Sequence, residues 1–398
     1  MADNFSGLAP CNLTLKCVIW RSRRGAVAPC RQDSNGPGPG GAKDTEGGEC
    51  MRPSHLLSVM DREFISAREG HHTPVMVWGP PGVGKSEMIA EIAARHGVSV
   101  IDIRLSQMEP SDLRGIPFRV GDFVEWAVPA ILPDTQRHGE TGILFLDEIT
   151  SAPPSVSAAA YQLILDRRLG EYYVPDGWAI FAAGNRQGDR GVTYTMPAPL
   201  ANRFSHFELE TNLDDWVSWA YANGIDERLI AFLRFRPELL FDFDPAHNPV
   251  AFPSPRSWEF AHRALRKFGD HPNLLVATLQ ACVGPAAGIE LAAFVDNLEK
   301  LPDIDAILRG EQVPVPRETD LQYAVACALV GRALRARQTP DANTVFGYII
   351  DYAAAFPQRE MGVMLISDMH RAIGQELFSV PQFSSWAKAV ADVMLYDV

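Results

Sequence analysis

The chain has 398 residues, 46% of them hydrophobic and 21% charged, with a formal net charge of −13. That is enough chain for two or three cores of ordinary globular composition, and its acidic balance argues against general nucleic-acid affinity, which needs basic surface to displace counterions from phosphates. No apolar run approaches the ~20 residues of a membrane helix, and the start lacks the segments of a secretion signal, so a cytoplasmic location is expected.

In chain order, residues 1–50 read as an unstructured segment. The stretch Asn35-Gly-Pro-Gly-Pro-Gly-Gly41 cannot hold a helix or a strand interior. Cys11, Cys17, Cys30 and Cys50 contain no C-x-x-C pair and read as unpaired thiols rather than a metal site. Cys282 and Cys327 fall in helical patterns, as small core residues. At Met51, a candidate start of the functional chain, the texture changes: Leu56, Leu57, Met60, Phe64 and Ile65 follow at helical spacing.

From about 74 to 210, short apolar strands (75–78, 98–103, 143–146, 179–183 and 205–209) alternate with amphipathic helices (86–95 and 155–166). This pattern predicts a parallel sheet covered on both sides. After the first strand comes Gly79-Pro80-Pro81-Gly82-Val83-Gly84-Lys85-Ser86, which fits the phosphate-loop pattern G-x-x-x-x-G-K-S/T in its required strand–loop–helix setting. Glycines let backbone N–H groups surround phosphate oxygens, and the following helix adds its positive end. Lys85 would reach the β- and γ-phosphates, and the Ser86 hydroxyl would ligate Mg²⁺. ATP and Mg²⁺ are therefore the expected ligands.

A hairpin is predicted within 118–126, turning at Gly121-Asp122. The apolar run 143–146 ends in Asp147-Glu148, which places the first acid at the carboxyl edge of the sheet. Asp147 would hold the metal shell and Glu148 would act as general base. A second hairpin is expected at 171–181, turning at Pro175-Asp-Gly177. Asn185 follows the next strand, where an amide can orient the lytic water or simply serve a turn. Beyond about 212 the strands stop and helical periodicity continues to the end, with segments near 214–223, 226–235, 255–267, 274–282, 290–298, 319–337, 342–355, 360–377 and 383–395. There is no internal repeat.

Together these residues resemble an AAA+ ATPase over roughly 55–265. The resemblance implies a three-layer P-loop core with a parallel sheet at 51–212, a helical lid at 213–270 and a helical extension at 271–398. Asn185 matches sensor 1. Pro199-Leu-Ala-Asn-Arg203-Phe204 resembles the arginine-finger segment, and Phe252-Pro-Ser-Pro-Arg256-Ser257 the sensor-2 segment, implying that Arg203 reaches a neighbour's γ-phosphate and Arg256 the chain's own nucleotide. The two hairpins are similar to the insertions of the MoxR-like group of the helix-2-insert clade. Arg167-Arg168 lies near a place where relatives present charge to a neighbour. Of the loop and hairpin aromatics, Trp126, Tyr172, Tyr173 and Tyr194, ordinary packing is the better reading. The implied assembly is a homo-oligomeric ring, a hexamer, acting on a protein client such as one with a von Willebrand factor A domain. Two other readings stay open: a nucleic-acid-directed motor, disfavoured by the charge, and a nucleotide-gated scaffold without turnover, disfavoured by an intact Glu148.

Overall fold

The protein is described by a computed structural model over residues 49–189, 193–244 and 250–391. Expectations for residues 1–48, with Cys11, Cys17 and Cys30, lie outside them. The elements are β1 (Glu49–Met51), α1 (Pro53–Arg68), β2 (Val75–Trp78), α2 (Lys85–His96), β3 (Ser99–Arg104), α3 (Pro110–Arg114), β4 (Ile116–Val120), β5 (Phe123–Ala127), α4 (Thr135–His138), β6 (Thr141–Asp147), α5 (Pro154–Asp166), β7 (Arg168–Leu169), β8 (Tyr172–Tyr173), β9 (Gly177–Gly184), α6 (Ala198–Ala201) and β10 (Ser205–Leu209). Helices follow: α7 (Leu213–Ala222), α8 (Glu227–Phe235), α9 (Pro255–Phe268), α10 (Pro272–Val283), α11 (Pro285–Asn297), α12 (Ile304–Leu308), α13 (Thr319–Ala336), α14 (Ala342–Ala354), α15 (Arg359–Ile373) and α16 (Pro381–Ala389).

Six strands form one parallel sheet in the order β1-β10-β2-β9-β6-β3. Its central strands are apolar on both faces because both are covered. Alternate residues Ile143, Phe145, Ala179 and Phe181 join Leu56, Met60 and Phe64 of α1 and Ile89 and Ile92 of α2 in one core. Leu144, Leu146, Ile180 and Ala182 join Val156, Ala159, Ala160 and Leu163 of α5 in the other. The period-two alternation of a strand thus feeds two separate cores. The architecture is that of a P-loop AAA+ core followed by helices.

The five strands read from the sequence are all present, and the hairpin turning at Gly121-Asp122 pairs Ile116 with Ala127 through Val120 with Phe123. Two readings need correction. The strand Glu49–Met51 pairs with β10 at the edge of the sheet, so ordered structure begins before Met51; three residues carry no periodicity that could announce a strand. The second hairpin does not turn at Pro175-Asp-Gly177. It pairs Arg168–Leu169 with Tyr172–Tyr173 around Gly170-Glu171, where Gly170 supplies a φ of +61° that a two-residue turn favours. Residues from Gly177 onward instead enter β9, whose ladders are taken by β6 and β2, leaving no edge for a hairpin partner.

The chain divides into two compact units, Thr45–Leu301 with Glu318–Cys327, and Pro302–Arg317 with Ala328–Val398. Within the second, α14 buries Phe346, Ile349 and Ile350 and packs against α12, α15 and α16. No described helix is long and apolar enough to cross a membrane.

Candidate functional site

The loop 79–84 leaves the carboxyl end of β2 and opens α2 at Lys85. Gly82 has a φ of +83°, and a Cβ there would lie 2.9 Å from Ser254 Oγ, so any side chain would meet both strain and a clash. Ser254 is the N-cap of α9, accepting from the Ser257 N–H at 3.2 Å, and the Arg256 N–H donates to the Gly82 carbonyl at 3.1 Å. The first turn of α9 is therefore built onto the phosphate loop.

Lys85 Nζ donates to the carbonyls of Gly79 at 2.6 Å and Pro80 at 3.0 Å, and to Asn185 Oδ1 at 3.0 Å. These account for all three ammonium protons. Burial lowers its pKa to about 8; Asp147 and Asp189 oppose that shift, and the positive charges of Arg256 and Arg186 add to it.

Asp147 ends β6, between β9 and β3, and accepts from Ser86 Oγ at 3.2 Å. Its other oxygen accepts the Glu148 N–H at 2.9 Å. Glu148 sits at φ 55°, in the left-handed region, a conformation that costs a non-glycine residue on the order of 1 kcal/mol. Its exposed carboxylate accepts a hydrogen bond from Ser106 Oγ. Asn185 is held by Thr150, whose hydroxyl accepts the Asn185 N–H and donates to the Asn185 carbonyl, both at 3.2 Å. That double tie fixes the backbone from which the Asn185 amide reaches Lys85.

Lys85, Ser86, Asp147, Glu148 and Asn185 are thus brought to one edge of the sheet, with Arg256 beside them. Arg203 is not joined to them. It follows α6 on an exposed turn, and its side chain makes no hydrogen bond or ion pair among the described residues. Arg256 is likewise exposed, its guanidinium without a hydrogen bond or ion pair among the described residues. Arg167 turns inward, donating to the carbonyls of Pro175 at 2.9 Å and Trp178 at 2.7 Å, so its charge is spent within the chain rather than offered to a neighbour. Tyr172 packs and donates to the Pro133 carbonyl at 2.7 Å, whereas Trp126, Tyr173 and Tyr194 are exposed.

Sequence reasoning missed Ser106, Thr150 and the Arg186–Asp189 pair. Asp189 is 6% exposed and takes a forked contact from Arg186 at 3.1 Å. A serine or threonine near a strand end carries no distinctive sequence signal. It acquires a role only through strand order.

Residues 74–204 match the model of the AAA domain of the dynein-related subfamily. Among curated proteins, the chain is 28% identical to Midasin of Giardia intestinalis over 158 residues, 38% of this chain and 3% of that protein. It is 27% identical to Midasin of Dictyostelium discoideum over 252 residues, 59% of this chain and 4% of that one. It is 25% identical to Protein NorQ of Paracoccus denitrificans over 166 residues, 40% of this chain and 60% of that protein. The match therefore spans a few percent of either midasin and less than two thirds of NorQ. Among solved structures, the Thermotoga maritima RuvB Holliday junction branch migration motor aligns at a TM-score of 0.34 with 17% identity, covering 70% of this chain and 80% of that one.

Proposed function

Starting from an AAA+ core with a formed phosphate loop, we propose that this chain binds and hydrolyses ATP with Mg²⁺ in a ring of copies, a hexamer, and uses the cycle to remodel or mature a protein client. One observation carries the reading. Lys85, Ser86, Asp147, Glu148, Asn185 and Arg256 converge within one chain, while Arg203 stands exposed on another turn, without a side-chain partner among the described residues. A free guanidinium at the surface suits a phosphate presented by a second copy, because its planar fork matches phosphate oxygens.

Lys85 would exchange its carbonyl contacts for β- and γ-phosphate oxygens, with loop N–H groups around them. The Ser86 hydroxyl and Asp147 carboxylate lie 3.2 Å apart and offer the hard oxygen donors Mg²⁺ prefers; these two residues would hold it. A bound Mg²⁺ supplies charge neutralisation at the phosphate oxygens. Glu148 would accept the proton of the attacking water at its carboxylate, once released from Ser106. Asn185 would orient that water through its amide. Arg256 in cis and Arg203 of the adjacent copy would offset the charge that develops on the γ-phosphoryl group.

The likeness to NorQ and the hairpins at β4–β5 and β7–β8 support placement in the MoxR-like group, and with it a client bearing a von Willebrand factor A domain. The net charge of −13 weighs against a nucleic-acid track. Phosphate release by the purified chain, with and without DNA, combined with light-scattering mass at saturating ATP, tests the core of the proposal. Absence of turnover, or a monomer at saturating nucleotide, would refute it. Capture of clients on a Glu148→Gln trap tests the remodelling role.

A further inference from the structure

The turn that carries Arg203 is tied to the strand that enters the chain's own phosphate loop. Trp78 is the last residue of β2, directly before Gly79. Its indole Nε1–H donates to His206 Nδ1 at 2.9 Å. An indole N–H can only donate, so Nδ1 must be the unprotonated nitrogen and Nε2 carries the hydrogen. Nε2 then donates to the Ala201 carbonyl at 2.7 Å, at the end of α6 and two residues before Arg203. The imidazole lies nearly coplanar with the Trp78 ring, their planes 22° apart, and is met edge-on by Phe204. Leu200 and Phe204, on either side of Arg203, are buried in the same core against which Trp78 packs.

From this arrangement we infer that His206 is a positioning residue for Arg203: a fixed-tautomer bridge that sets the exposed guanidinium at the angle required by a neighbouring copy's γ-phosphate. The inference rests on the reading of Arg203 as a trans-acting arginine. A four-residue helix such as α6 (Ala198–Ala201) has little stability of its own. Its last carbonyl is the point where a bond from outside can stop the following turn from rotating. Removing the bridge leaves the Trp78 N–H without its acceptor and the Ala201 carbonyl with only the Phe204 N–H, at 3.1 Å, and a misplacement of about 1 Å at a transferring group can cost on the order of 10²-fold in rate. The bridge begins at Trp78, whose backbone is held independently by the β10 and β9 ladders, so its loss acts on the arginine's turn and not on the phosphate loop.

The test uses mixed rings of the full-length chain. Acceptor subunits carry Arg203→Ala and retain their phosphate loop. Donor subunits carry Lys85→Ala and retain Arg203. Mixing the two, with exchange verified by fluorescence transfer between labelled copies, should restore turnover that neither has alone. Donors that also carry His206→Ala should restore at least tenfold less. Donors with His206→Gln, which can accept from Trp78 and donate to Ala201, should recover most of the rate. Binding of a fluorescent ATP analogue to His206→Ala in an otherwise native chain should be unchanged, which a general loss of fold would not allow. If His206→Ala does not fold, Trp78→Phe donors, which lose the indole N–H, should show a fall of several-fold. Equal restoration by His206 and His206→Ala donors, or by Trp78 and Trp78→Phe donors in the second case, overturns the inference and leaves the trans-acting arginine standing. No restoration by the Lys85→Ala donor itself, despite exchange, removes that reading and the inference with it.

Discussion

Raising the pH should weaken nucleotide binding through Lys85, by an amount the structure sets. In the free protein, burial lowers its pKa to about 8, from 10.5 in a solvated lysine. Bound phosphates favour the ammonium form and raise the pKa in the complex, so the bound lysine stays charged. The sign follows: nucleotide binding takes up a proton wherever the free protein has lost it. At pH 7 about nine tenths of free Lys85 is charged, and at pH 9 about one tenth. The dissociation constant should therefore rise about tenfold between these values, or about 1.4 kcal/mol, with about half a proton taken up per nucleotide at pH 8. A phosphate monoester titrates near pH 6, so the ligand itself adds little in this range. Titration calorimetry at pH 7, 8 and 9, in two buffers of different ionisation enthalpy, gives both quantities. Lys85→Ala should bind weakly and show no proton uptake. A pH-independent affinity with no uptake at pH 8 would refute the reasoning, because it would mean that Asp147 and Asp189 outweigh burial and keep the free lysine charged.

Three further outcomes follow from named contacts. Glu148→Gln should keep near-native ATP affinity and lose on the order of 10²–10⁴ in turnover, since an amide cannot take the water's proton; single-turnover phosphate release measures it, and a native rate would mean another base. Ser106→Ala should raise basal turnover by up to about tenfold without changing ATP affinity, because a hydrogen bond to a carboxylate is worth about 1.5–3 kcal/mol when buried and less at this exposed pair, where it restrains Glu148; a slower enzyme would show that Ser106 instead aligns the base. His72 is enclosed between α1 and β9, where Nε2 accepts the Ile180 N–H at 2.8 Å, and burial, reinforced by Arg167, lowers its pKa to about 4. The unfolded chain binds that proton first, so stability is lost as pH falls from 6.5 towards 4, by about 3 kcal/mol from this group; urea midpoints at pH 7 and 4.5 should converge for His72→Gln, and equal pH sensitivity in both proteins would exclude His72 as the cause.

Much of the site was legible without coordinates because it is built from contiguous residues. The segment Gly79–Ser86 carries its own backbone geometry, and the run ending in Asp147 announces a buried strand whose last residue must emerge at the sheet edge. The β4–β5 hairpin declared itself through Gly121-Asp122. Each of these is a local property of a few neighbouring residues, fixed by sterics and by strand or helix period.

What the sequence could not determine is which distant groups would meet those residues. Glu148 is restrained by Ser106, 42 positions away, and Asn185 is held by Thr150, 35 positions away. His206 reaches across 128 positions to Trp78. All three depend on the strand order β10-β2-β9-β6-β3, which apolar patterning cannot specify, because the central strands β2, β9 and β6 are all near-continuous buried runs. The edge strand Glu49–Met51 and the turn at Gly170 escaped for a related reason. Their pairing rests on backbone hydrogen bonds, which any sequence can make, and only the completed sheet decides where an unpaired edge remains to receive them.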